Sequence, residues 1–233
     1  MIDEAMSKAV FIPSQLLTAD FWAPLIAQLK DMVDATVADH TAHDTVEAIA
    51  RSILDNAPAQ FVLIAHAMGG FIAFEMLRQQ PDRIQKLVLI STQARNDGPA
   101  QTARRLGYLR LVEDGNFAQV VEERFPILLP PDRAADDALL QLIRKMAHDT
   151  GAEAFLRQQR AIMSRPDSRP LLPQIACPTL IVFGRQDGVA TLANQQEMLE
   201  AIPAARLEIV EGCGHLVPLE RPGELAALLT NWL

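Results

Sequence analysis

Cysteine is scarce in this sequence: Cys177 and Cys213 are the only two among 233 residues. Two thiols cannot build a disulfide scaffold, and no Cys/His spacing resembles a zinc site. Long apolar runs are missing as well. None approaches the roughly 18 residues that a membrane span needs. The opening stretch MIDEAMSKAV carries acids where a secretory leader needs a basic start and a long apolar segment. Positive charge is in the minority, with 21 Lys and Arg against 29 Asp and Glu for a net charge of −8. That balance argues against nucleic acid or an anionic membrane as the main partner. Internal repeats and low-complexity tracts are lacking, and a 49% hydrophobic content argues against disorder. These absences predict a cytoplasmic, compact domain with one core. They leave its oligomeric state open, because no heptad seam or apolar edge strand stands out.

What is present is an alternation of short apolar runs with longer segments of helical period. Strands are expected at Lys8–Ile12, Asp31–Ala38, Phe61–Ala65, Lys86–Ser91, Pro178–Gly184 and Arg206–Glu211. Helices are expected at Asp20–Lys30, Asp44–Asn56, Gly69–Gln80, Leu192–Ala201 and Gly223–Leu233, with Asp44 and Glu47 at capping-box spacing. Alternating strands and helices predict an α/β fold: a mostly parallel sheet of about six strands with helices on both faces. The near-continuous apolar runs FVLIA, KLVLI and TLIVF suit strands covered on both sides.

After the fourth strand the rhythm breaks. Helical patterns at Thr102–Val112, Phe117–Arg124, Ala138–Ala147 and Ala152–Met163 predict a helical cap over residues 96–170. The sheet-bearing core would then comprise residues 1–95 and 171–233. An insertion at the carboxyl edge of a parallel sheet commonly shapes a ligand pocket.

The segment that carries chemistry is Phe61–Leu77, FVLIAHAMGGFIAFEML. A buried strand passes through His66, Ala67 and Met68 into a helix, and so sharp a turn needs small residues two places either side of its apex. Ala65 and Gly69 supply them, which is the strand–turn–helix pattern of a nucleophile elbow. Here the sequence resembles the α/β-hydrolase family, whose members often read G-H-S-M-G-G, and the resemblance extends over essentially the whole chain. The apex, however, is Ala67, which has no hydroxyl with which to form an acyl-enzyme.

The resemblance implies roles for further positions. Asp187, in FGRQDG after the fifth strand, stands where the family often has its acid, with Asp97 as a fallback. His215, in EGCGHLVPLERP after the sixth strand, stands where the family has its base. The order of apex, acid and base is the one expected of this fold. Two backbone N–H groups should form the oxyanion hole, one from Met68. The other is Gln15, by the register of Pro13-Ser14 and of Trp22 nine residues beyond Pro13. Trp22 and His66 are possible substrate contacts, and so are Arg157 and Arg160 in FLRQQRAIMSRPDSRP, which could reach a substrate carboxylate. His40 and His43 lack a third ligand, so no metal is expected, and no dissolved cofactor is required.

Three functions follow. The first is a serine hydrolase acting on a small carboxylic ester, amide, lactone or thioester, here in an engineered inactive Ser-to-Ala form at position 67. The second is a natural non-hydrolytic ligand-binding protein on the same fold. The third is a lyase or cofactor-free oxygenase that uses His215 and Asp187 as its base.

Overall fold

The structure is a computed structural model and describes residues 6–233; the acidic start expected to exclude a leader lies largely outside them. Its frame is a six-stranded sheet, all parallel, in the order β2-β1-β3-β4-β5-β6. The strands are β1 (Ser7–Ile12), β2 (Val33–Val37), β3 (Phe61–His66), β4 (Ile84–Ile90), β5 (Thr179–Gly184) and β6 (Ala205–Val210). β3 and β5 are buried at every residue, as their unbroken apolar runs require, whereas the outer strand β6 alternates half-buried and exposed positions.

Two apolar layers form, one on each face. On one face, α2 (Val46–Asn56) and α3 (Met68–Gln79) cover Val10, Ile12, Leu63 and Leu89. On the other, α1 (Ala23–Gln28) and α9 (Pro222–Trp232) pack over Phe11, Ile64, Val88 and Val182. α7 (Leu192–Ala201) flanks β5 and β6, and the short α8 (Val217–Glu220) precedes α9. Among the described residues, no helix is long and apolar enough to cross a membrane.

Some boundaries differ from the sequence expectation for local reasons. α2 is capped by Thr45, whose side chain accepts the Ala48 N–H at 3.2 Å, rather than by Asp44. The helix expected over Asp20–Lys30 is a 3-10 turn, Ala19–Phe21, followed by the six-residue α1. Thr18 caps the turn, and Pro24 then starts the new helix where its missing N–H costs no hydrogen bond.

Between β4 and β5 lie α4 (Pro99–Glu113), α5 (Phe117–Arg124) and α6 (Asp137–Ser164). The two helices expected at 138–163 run as one element broken at Gly151, whose φ of 78° and ψ of 166° interrupt the helical path. α4, α5 and α6 pack on one another. Phe125, Leu139, Ile143 and Phe155 from this segment join the same apolar cluster as Phe11 and Trp22.

Candidate active site

β3 delivers the chain to position 67 at the carboxyl edge of the sheet, and α3 begins one residue later. Ala67 adopts φ 47° and ψ −105°, outside the basins that suit a residue with a Cβ. Such a conformation costs about 1–3 kcal/mol and persists only where its surroundings fix it. Here they do. The Ala67 N–H donates to Ile90 O at 3.0 Å, and the Thr92 hydroxyl donates to Ala67 O at 2.7 Å. Gly69 permits the turn, because a Cβ there would lie 2.3 Å from Ile12 O. Ala65, in the place of a glycine, is fully buried and accommodated.

Asp187 and His215 come from the loops after β5 and β6. The Nδ1–H of His215 donates to the Asp187 carboxylate, with Nδ1 lying 2.9 and 3.0 Å from its two oxygens. The His215 side chain is 4% exposed and that of Asp187 is 0% exposed. Burial alone would raise the Asp187 carboxyl. The charge and hydrogen bond of His215, with the Val189 and Ala190 amides, outweigh it and hold the group below the ordinary carboxylate value. With Nδ1 carrying the proton, Nε2 of His215 is left as the basic nitrogen.

The loop bearing His215 is fixed from several sides. Glu220 accepts the N–H groups of Gly214 and Leu216, both at 2.9 Å, and so brackets the histidine. The His215 N–H donates to Leu128 O in the helical insertion at 3.1 Å. Nε2–H of His66 donates to His215 O at 2.8 Å. Gly184 lets the two loops touch, since a Cβ there would lie 2.0 Å from Gly214 O.

A cleft of about 1020 Å³, mouth included, opens above the elbow and is lined by Ala67, Met68, Gln15 and His215. The Met68 N–H reaches only the Ser14 hydroxyl, at a loose 3.5 Å, and the Gln15 N–H has no backbone partner among the described residues. Met68 and Gln15, whose amides have little else to bond, thus line the same cleft as Ala67. The loop that presents Gln15 is held by His40, whose Nε2–H donates to Ser14 O at 3.0 Å, and by Gln158, which accepts the Leu16 N–H at 3.1 Å.

Other expected contacts lie elsewhere. Trp22 is fully buried against Phe11 and Phe21 in the core and does not line the cleft. His66 lies behind His215, with ring centroids 4.8 Å apart, and burial together with the His215 charge pushes it down to about 3. Arg157 donates to Thr41 O at 2.7 Å, and Arg160 faces Glu113 at 3.8 Å. Both arginines are spent on the protein and are absent from the cleft lining. Asp97, the fallback acid, is bound by Arg105 and Arg165 at 2.6 and 2.7 Å. Cys177 and Cys213 are free, and burial raises both thiols. No cluster of three or more His, Cys, Asp or Glu side chains suited to a metal occurs among the described residues.

Sequence reasoning did not single out Ser14, Thr92, Glu220 or the cleft-facing Arg104, Arg105 and Arg124. Ser14 entered only as part of the Pro13-Ser14 register that nominates Gln15. The others became visible once the fold brought distant segments together.

A model of the alpha/beta hydrolase family matches residues 13–228. The chain belongs to that family. Among curated relatives, a provisionally named carbamate hydrolase, RutD, of Pseudomonas savastanoi pv. phaseolicola is 26% identical, covering 91% of this chain and 88% of the relative. A pimeloyl-[acyl-carrier protein] methyl ester esterase of Nitrosomonas europaea is also 26% identical, over 80% of this chain and 76% of its own. Among solved structures, a thermophilic esterase of Thermogutta terrifontis, with malate bound, superposes with a TM-score of 0.88 at 25% identity. That match covers 97% of this chain and 89% of the esterase. The family member described here thus resembles hydrolases of esters and carbamates.

Proposed function

We propose that this chain is a carboxylic-ester hydrolase whose nucleophile position holds alanine, an inactive Ser-to-Ala form of an enzyme that works through an acyl-enzyme. The observation that carries the reading is the strained, fully supported elbow at Ala67 beside an assembled His215–Asp187 pair. A backbone strain of this size brings no benefit to a methyl group. It suits a side-chain nucleophile that must project from a tight turn. The ester and carbamate hydrolases among the relatives support the same reaction class.

With serine at position 67, Nε2 of His215 takes the hydroxyl proton as Oγ attacks the carbonyl carbon. The oxyanion that forms accepts hydrogen bonds from the Met68 and Gln15 amides. Asp187 holds the imidazole in the right tautomer and stabilises its positive charge. The proton then passes from Nε2 to the departing alcohol, and water repeats the sequence on the acyl-enzyme. None of these steps calls on a metal or a dissolved cofactor. Residues 96–170 act as a cap that shapes the substrate side of the cleft, and the substrate is a small molecule.

Ala67→Ser assayed on a panel of aryl esters tests the reading. Turnover that appears in Ala67→Ser and disappears in Ala67→Ser/His215→Ala supports it. A correctly folded Ala67→Ser protein with no turnover overturns it.

The completeness of the His215–Asp187 pair without a nucleophile at position 67 favours one second reading, a base-catalysed lyase or cofactor-free oxygenase. That reading requires activity from the Ala67 chain itself, lost in His215→Ala.

A further inference from the structure

The cleft carries positive charge that its own walls do not neutralise. Arg104, Arg105 and Arg124 line it, and among the described residues no Asp or Glu does, although the chain as a whole is acidic. Arg105 has a partner in Asp97, but that carboxylate also binds Arg165, so one acid serves two guanidinium groups. Arg104 and Arg124 make no hydrogen bond or ion pair among the described residues. Three of the acids nearby in sequence are already engaged: Glu113 faces Arg160, Glu122 binds Arg144 and Glu123 accepts from Gln119.

Arg124 is the more telling of the two. Its guanidinium lies 5.6 Å from the ring centroid of Tyr108 on α4 and 5.8 Å from that of Phe155 on α6. The aromatic faces hold the cation in place without neutralising it. Burial, with Arg105 and Arg104 beside it, pushes Arg124 down to about 10, so it stays protonated at neutral pH. A half-buried cation with no counter-ion is costly to keep, and a guanidinium fork matches the two oxygens of a bound oxyanion. Elsewhere the cleft presents apolar surface from Phe71, Phe125, Ile127, Ile143 and Ile162, which suits an aliphatic spacer.

We infer that the cleft takes an ester carrying a second, oxyanionic group, a carboxylate or a phosphate, bound by Arg124 together with Arg104. The inference names the substrate class of the site and rests on the ester-hydrolase reading above.

The Ala67 chain is suited to the test because it can bind an ester without cleaving it through position 67. Calorimetric titration compares monomethyl adipate, the acetyl ester of glycerol 3-phosphate and neutral dimethyl adipate. One anionic ester should bind at least about tenfold more tightly than the neutral diester, and which one it is identifies the oxyanion. That ratio should fall about tenfold in Arg124→Met, recover in part in Arg124→Lys, and shrink with added salt. Arg104→Met, at an exposed position, should lower the ratio as well and serves if Arg124→Met fails to fold. A neutral diester that binds as well as both anionic esters overturns the inference. A preference that survives both methionine variants does so too, as does absence of binding by all three probes.

The two readings fail separately. If Ala67→Ser cleaves no ester while the Ala67 chain still selects anions through Arg124, the hydrolase reading falls and the anion site stands. If Ala67→Ser cleaves neutral and anionic esters equally well, the anion site falls and the hydrolase reading stands.

Discussion

Nδ1 of His215 lies within 3.0 Å of both carboxylate oxygens of Asp187, and Oδ1 of that carboxylate also accepts the N–H groups of Val189 and Ala190. The acid is therefore held by its own loop before it orients the imidazole. In an Ala67→Ser background, Asp187→Asn keeps the shape but lets an amide N–H face Nδ1, which favours the wrong tautomer. The expected loss in kcat is about 10³- to 10⁴-fold with little change in KM. Steady-state kinetics on one aryl ester check this, and a loss below tenfold would remove Asp187 from the proposed role.

Gly69 and Gly107 make a matched pair for stability. A Cβ at Gly69 would lie 2.3 Å from the backbone oxygen of Ile12, which cannot yield without moving β1 away from α3. At Gly107, within α4, a Cβ would meet nothing within 4 Å. Gly69→Ala should therefore destabilise by about 2 kcal/mol or more, and Gly107→Ala should stabilise by about 0.5–1 kcal/mol. Urea unfolding followed by circular dichroism gives both values.

His66 makes the fold sensitive to acid. Its folded-state value of about 3 lies below the ordinary 6.5, because the ring is buried beside His215. Between those values the unfolded chain binds a proton that the folded chain refuses, so stability rises with pH. The contribution is complete above about pH 6.5 and is lost progressively on acidification. His66→Gln removes the titration while leaving an N–H that can donate to His215 O. The variant should lose less stability than the parent between pH 7 and 4.5, by on the order of 2 kcal/mol. Equal losses in the two proteins would contradict this account of His66.

The sheet was legible in the sequence because FVLIA, KLVLI and TLIVF have no polar face to expose, and a strand covered on both sides is the arrangement that hides them all. The elbow was legible because only small residues fit at positions 65 and 69. Asp187 and His215 were nominated by the family resemblance, at places after successive strands of a parallel sheet. The helical insertion was harder to read. Arg104, Arg124, Arg157 and Arg160 all sit on helices between β4 and β5, and their local sequences do not say which will face the cleft. Packing decides that: Arg157 is drawn to Thr41 O, whereas Arg124 is turned inward between Tyr108 and Phe155. Pairing is likewise a property of the folded chain. Glu220 lies five residues beyond His215 in sequence, and only the folded chain brings its carboxylate to the amides either side of that histidine.

Covalent trapping tests most directly whether position 67 is the seat of a nucleophile. Ala67→Ser, treated with a fluorophosphonate and digested for mass spectrometry, should carry the phosphonyl mass on the peptide containing residue 67. The Ala67 chain and Ala67→Ser/His215→Ala should carry none there. An unlabelled Ala67→Ser protein, or label on Ser14 or Ser91 of the same cleft instead, would contradict the account.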